Sequence, residues 1–158
     1  MKIAIGCDIY AYSAVCDHLA EYLEKEKKFE VIRCGAMAGN DKSDFVDAGI
    51  EVAEKIADKT VEYGVLLCNT GTGVTIVANK VPGVRAALCY DEFSAKISKI
   101  GNNANAISLS VRFCGEKLLK SILDTWFETK PSTEEWRVNF HRKTEEIDTK
   151  YRNSKIPL

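Results

Sequence analysis

Histidine is nearly absent, with His18 and His141 the only two in 158 residues. Neither has a cysteine partner at ligand spacing, and the six cysteines, at 7, 16, 34, 68, 89 and 114, include no Cys-x-x-Cys pair. A structural zinc site is therefore not expected. Also missing is any apolar stretch near the roughly 20 residues that cross a bilayer. The opening "MKIAIGCD" runs directly into a strand-like pattern, without the long apolar core of a signal peptide. Charge of one sign is not in excess either: a formal net charge of -1 offers no surface for nucleic acid or membrane. No Gly-x-x-x-x-Gly-Lys-Ser/Thr occurs, and "GTGVTI" lacks the third glycine of the dinucleotide fingerprint. Thiols inside apolar runs suit a reducing cytoplasm, where most act as small buried hydrophobes.

What remains is an ordinary globular composition, 46% hydrophobic and 28% charged, enough for one domain over residues 1–158. Strand-like runs alternate with helical patterns. "KIAIGCD" (Lys2–Asp8), "FEVIRCG", "YGVLLC", "VRAALCY" and "NAISLS" read as five strands. Between them, Val15, Leu19, Tyr22 and Leu23 mark a first helix. Val46, Gly49, Ile50, Ala53, Ile56 and Ala57 mark a second, and "VTIVANK" a third that stops at "VPG". Phe93, Ile97 and Ile100 mark a fourth ending at Gly101, and Leu118, Leu119, Ile122 and Phe127 a fifth. From Thr133 to residue 158 the chain is polar and helical in pattern, an arm expected to pack on a second subunit. Repeated βα units predict a five-stranded parallel sheet between helical layers, a Rossmann-like three-layer sandwich.

In such sheets ligands bind beyond the carboxyl ends of the strands. Asp8, Cys68, the Gly71–Gly73 turn and the Gly101–Asn105 segment are expected on that rim. Gly71 and Gly73 let backbone approach a ligand closely. A helix beginning near Val74 would point free N–H groups into the turn. That field should lower the pKa of Cys68. A thiolate beside an anion hole suits acyl attack or proton abstraction next to a carbonyl. Acyl attack needs a histidine base, and His18 is mid-helix while His141 is in the tail. Proton abstraction needs only the thiolate and donors for an enolate oxygen. A buried strand-end cysteine with no role in chemistry is the equal alternative.

"KIAIGCD", "CNTGTG", "ANKVPGVRAAL", "FSAKIS", "NNAN" and "VRFCGEKL", in this order, resemble the type B ribose-5-phosphate isomerase and galactose-6-phosphate isomerase family over roughly Lys2 to Trp126. The resemblance implies an isomerase of phosphorylated aldoses and ketoses that uses no cofactor or metal and proceeds through an enediolate. It implies a homodimer or homotetramer with active sites at the subunit interface. Cys68 matches the catalytic base, with Thr70 orienting the thiol and Gly71, Thr72 and Gly73 holding the enediolate oxygen. Asp8 matches a binder of a sugar hydroxyl, Asn102 a residue near the reacting carbons, and Arg112 a phosphate ligand.

The departures are specific. Ile9 stands where the family usually has a histidine, and Gly101 where it usually has the histidine credited with ring opening. Phe45 replaces a common tyrosine. Arg137, His141 and Arg142 stand in for the usual tail cluster, either reaching a partner's phosphate site or forming a charged helix face. Without the ring opener, two substrate readings stand. Either Tyr10, Tyr12 or a partner residue opens the ring of ribose 5-phosphate or galactose 6-phosphate, or the substrate is a tetrose 4-phosphate that closes no five- or six-membered ring. A non-catalytic subunit of a hetero-oligomer is the reading from another class.

Overall fold

The computed structural model describes residues 1–152; the expected arm over 133–158 thus has its last six residues, 153–158, outside the described residues. The strands are β1 (Lys2–Cys7), β2 (Glu30–Gly35), β3 (Tyr63–Cys68), β4 (Ala86–Cys89) and β5 (Ala106–Ser110). The helices are α1 (Ala14–Lys25), α2 (Phe45–Ala57), α3 (Thr72–Ala78), α4 (Glu92–Asn102), α5 (Glu116–Glu128) and α6 (Glu135–Arg152). The strands form one all-parallel sheet in the order β2-β1-β3-β5-β4. The expected three-layer α/β sandwich is therefore the observed fold. No described helix is long and apolar enough to cross a membrane.

Strand alternation divides the core in two. Ile3, Ile5, Val65, Leu67, Ile107 and Leu109 pack against Leu19, Leu23, Leu119, Ile122 and Trp126 of α1 and α5. Ala4, Leu66, Cys68 and Ala106 face the other way, onto Val52, Ala53, Ile56, Val74 and Ala78 of α2 and α3. Cys68 thus belongs to the α2–α3 face. All six cysteines are free and buried.

Two helices turn differently from their sequence patterns. On α2 the buried stripe is Ala48, Gly49, Val52, Ala53 and Ile56. Val46 and Ile50, expected inward, are each 37% exposed. Ala57, also expected inward, is exposed as well, and Ala48 and Val52 take the inward places, so the buried stripe is turned about the helix axis from the expected one. On α4 the pattern is inverted: Ala95, Ser98 and Lys99 are buried, while Phe93 is 73% exposed. The helix itself is anchored by an Asp91–Ser94 capping box and ends at Asn103, whose φ of 49° is left-handed.

Lys99 explains the inversion. Its side chain runs into the core, with Nζ 3.6 Å from the centre of the Tyr63 ring and 3.8 Å from that of Trp126. No carboxylate pairs with it among the described residues; the rings hold the cation through their electron-rich faces. Burial, with a smaller contribution from Arg85, pulls its pKa down to about 7, while the ring faces act in the opposite sense. In the unfolded chain the amine titrates near 10.5. Between those values the unfolded chain binds more protons, so stability rises with pH by up to about 1.4 kcal/mol per unit from this group. The penalty is complete below pH 7 and gone above about 10.5. Lys99→Met is expected to remove this slope. Denaturant midpoints of both proteins at pH 7 and 9 check it: the stability of the unaltered protein rises relative to the variant, and parallel behaviour contradicts it.

Candidate active site

From β1 the chain turns to one side of the sheet, to β2, and from β3 to the other, to β4. The connections that leave the carboxyl ends of β1 and β3 therefore part, the arrangement that opens a crevice at such a reversal. Cys7 pairs with Leu67 in register, so Asp8 and Cys68 follow at the same level on neighbouring strands.

Asp8, only 4% exposed, organises its own loop. Its Oδ1 accepts hydrogen bonds from the amides of Tyr10 at 2.8 Å and Ala11 at 3.0 Å. Its Oδ2 has no hydrogen bond among the described residues and is left for an outside donor. Tyr10 projects into solvent. Tyr12 is committed elsewhere: its hydroxyl donates to Asp17 Oδ2 at 2.7 Å, a bond that also raises its pKa.

The Cys68–Gly73 turn is held through its carbonyls. Cys68 O accepts from Val111 N, and Asn69 O from Arg112 N and Ser110 Oγ. Thr70 O accepts from the Tyr90 hydroxyl at 2.9 Å. Gly71 O accepts from Thr75 N at 3.2 Å and Thr75 Oγ1 at 2.6 Å. The Thr70 and Gly71 amides make no hydrogen bond among the described residues. Donors free and acceptors engaged is the polarity an oxyanion requires. The helix begins at Thr72 rather than near Val74 and has only seven residues, so the useful donors are the turn's own amides. Thr70 Oγ1, expected to orient the thiol, accepts from Thr72 N at 3.3 Å.

Gly71 has φ +80°, and a Cβ there would stand 2.4 Å from Leu88 Cδ1. At Gly73 a Cβ would meet the Phe45 ring at 3.0 Å, so Phe45 lies directly against the turn. Arg112 is on the same rim, exposed, its side chain without an ion pair or hydrogen bond among the described residues.

The Gly101–Asn105 segment is not on this rim. Helix α4 runs back along the sheet and delivers Asn102 to the start of β5, whereas Cys68 pairs with Ser110 at that strand's end. The intervening strand separates the two levels by about 13 Å. The expectation failed because a helix that returns to its next strand ends at the opposite pole.

At that pole α6 closes on α4. Arg137 Nη1 lies 3.3 Å from where a Gly101 Cβ would be, and His141 Nε2 donates to Gly101 O at 3.0 Å. Arg137 also lies over the Trp136 ring and pairs with Glu134. Arg142 points elsewhere, bonded to Glu146 and Asn139. Between α6, α4 and the start of β4 is a cavity of about 780 Å³, walled in part by Arg85, Asn102, Phe140 and His141. The residues expected to meet at one site thus fall into two groups: Asp8, Tyr10, Cys68, Thr70–Gly73 and Arg112 at one end of the sheet, Asn102 and Arg137 at the other. The Tyr90 tether escaped sequence reasoning; its only signal was its place just beyond a strand end on the same rim. No group of three metal-ligating side chains occurs among the described residues.

A parallel α/β fold with a glycine turn at its chain reversal, free amides beside a strand-end cysteine, defines a class suited to enolate chemistry. Residues 3–146 match the family model described as Ribose/Galactose Isomerase. The chain is 34% identical over 125 residues to ribose-5-phosphate isomerase B of Escherichia coli, covering 79% of this chain and 82% of that one. It is 35% identical over 130 residues to D-erythrulose-4-phosphate isomerase of Pectobacterium atrosepticum, covering 82% and 84%. The solved structure of Clostridium thermocellum ribose-5-phosphate isomerase B superposes with a TM-score of 0.88 at 37% identity, covering 96% of this chain and 99% of that one. The chain belongs to the ribose/galactose isomerase family.

Gly71→Ala is expected to cost about 2–4 kcal/mol, from the left-handed φ and the Leu88 overlap together. Gly73→Ala is expected to cost less, since only a half-exposed ring must shift. Urea midpoints of the two variants check the order; equal costs contradict this account of the turn.

Proposed function

We propose that the chain interconverts an aldose phosphate and its ketose, of the ribose 5-phosphate and ribulose 5-phosphate type, with Cys68 as the base. The Cys68 thiolate takes the C2 proton and the C1 oxygen gains the charge. The Gly71 and Gly73 amides hold that oxygen in the enediolate. The thiol returns the proton to C1 while the O2 proton passes to O1. The exchange is redox-neutral within the sugar, so it requires no external electron acceptor. The observation that carries the reading is the turn itself, with its carbonyls engaged and the Gly71 amide free beside Cys68. Asp8 Oδ2 suits a sugar hydroxyl, and Arg112 and Tyr10 line the same rim for the distal part of the substrate.

The second group, Asn102 and Arg137, serves a neighbouring copy's rim in this reading. Phe93 on α4 and Trp136, Phe140 and Ile147 along one stripe of α6 are all at least half exposed, apolar surface that a second copy would cover. A homodimer or homotetramer with shared sites follows. Arg142, tied to Glu146, is the weakest of the expected substrate ligands.

A tetrose 4-phosphate is the second reading, favoured by Gly101: no side chain there serves a ring oxygen. The non-catalytic alternative is disfavoured by the intact turn and cysteine. Turnover of the purified chain on ribose 5-phosphate, erythrose 4-phosphate and galactose 6-phosphate, side by side, ranks them. Ribose preference is expected; tetrose preference moves the second reading to the front, and no turnover on any favours the non-catalytic subunit.

Cys68→Ala is expected to lower kcat by about 10²–10⁴, the usual worth of a positioned base, with the melting curve retained. Undiminished turnover removes Cys68 from the mechanism. Mixing inactive Cys68→Ala with inactive Asn102→Ala, after unfolding and refolding together, is expected to restore about a quarter of full activity. Half the dimers are then mixed, and each carries one intact site of two. No recovery contradicts the shared site.

A further inference from the structure

We propose that Tyr90 is a positioning residue for the isomerisation, setting the direction of the Gly71 amide through the carbonyl of Thr70. The proposal rests on the isomerase reading above and deepens it. Tyr90 follows β4 directly and its hydroxyl donates to Thr70 O at 2.9 Å. That carbonyl has no other hydrogen-bond partner among the described residues. In a trans peptide the C=O and the following N–H point in opposite directions. Holding the Thr70 carbonyl against β4 therefore aims the Gly71 N–H the other way, and that N–H is free.

The tether is built into the fold on both sides. Tyr90 is itself fixed: its N–H donates to Ser94 Oγ at 3.3 Å and its carbonyl accepts from Cys114 Sγ at 3.8 Å. Ser94 belongs to the Asp91 capping box, so the end of β4 and the start of α4 move as one piece with the tyrosine. Two residues earlier, Leu88 abuts Gly71 where a Cβ would go. Leu88 sets the position of the turn, and Tyr90 sets the rotation of one peptide plane within it. Only the second bears on where a hydrogen-bond donor points. An oxyanion donor acts through alignment with charge that exists only along the reaction, so its misdirection lowers kcat more than it weakens substrate binding.

Tyr90→Phe keeps the ring and deletes the tether. Using whichever of ribose 5-phosphate, erythrose 4-phosphate and galactose 6-phosphate the unaltered protein turns over fastest, kcat is expected to fall about tenfold with KM within about twofold. Affinity for the terminally phosphorylated hydroxamic acid with one carbon fewer, its nitrogen in place of C1 as a planar mimic of the enediolate, is expected to fall by the same factor as kcat. Inorganic phosphate should inhibit both proteins alike. Tyr22→Phe, which deletes a hydroxyl bonded to Asp124 away from this rim, provides the comparison for hydroxyl loss in general and should leave kcat unchanged. An unchanged kcat in Tyr90→Phe, or a raised KM with kcat intact, overturns the proposal. So does a hydroxamate affinity that does not follow kcat, which would make the loss a general loosening. An unaltered protein without turnover on any of the three sugars overturns the isomerase reading and this proposal together.

Discussion

The site depends on one seat: a left-handed glycine pressed against Leu88 with no room for a Cβ. Because Gly71 takes that conformation, the chain can leave β3 and enter α3 within three residues, and each carbonyl from Cys68 to Gly71 finds a donor outside the crevice. The amides face the other way as a consequence. Cys68 is then fixed by strand alternation on the α2–α3 face, under the turn it precedes. The polarity of the turn is a by-product of backbone accounting rather than of charged side chains.

The sheet supplies the second constraint. Parallel strands send every βα turn to one pole and every αβ turn to the other. Asp8, Cys68 and Arg112 follow strands; Asn102 follows a helix. One copy of the fold cannot bring them together, so a site that uses both groups must be assembled from two copies. Trp136, Phe140 and Ile147 are left exposed on α6, the helix that closes on the Asn102 pole.

Much of this was legible in the sequence. Periodicity and turn residues gave all five strands and all six helices to within a few residues, because the strands are short apolar runs, four of them ending at cysteine or glycine. The turn was legible because two glycines flanking a threonine after an apolar run mark backbone that must come close to something. Three features were not. The inverted face of α4 depends on Lys99 lying between Tyr63 and Trp126, residues far apart in sequence, and no amphipathic count anticipates a buried lysine. The polar Gly101–Asn105 segment has the composition of a binding loop, while its pole is decided by connectivity. The α6 contacts at Gly101 depend on a helix whose own pattern is mostly polar, and Gly101 itself signals only an absence.

The most direct measurement is a crystal structure of the protein with a four-carbon phosphorylated hydroxamate, whose nitrogen takes the place of C1 so that it mimics the five-carbon enediolate. The account requires the mimic's oxygen on the Gly71 and Gly73 amides, Cys68 Sγ against the carbons that exchange the proton, and Asn102 reaching it from a second copy. A mimic seated instead in the cavity between α4 and α6, remote from Cys68, would contradict the account.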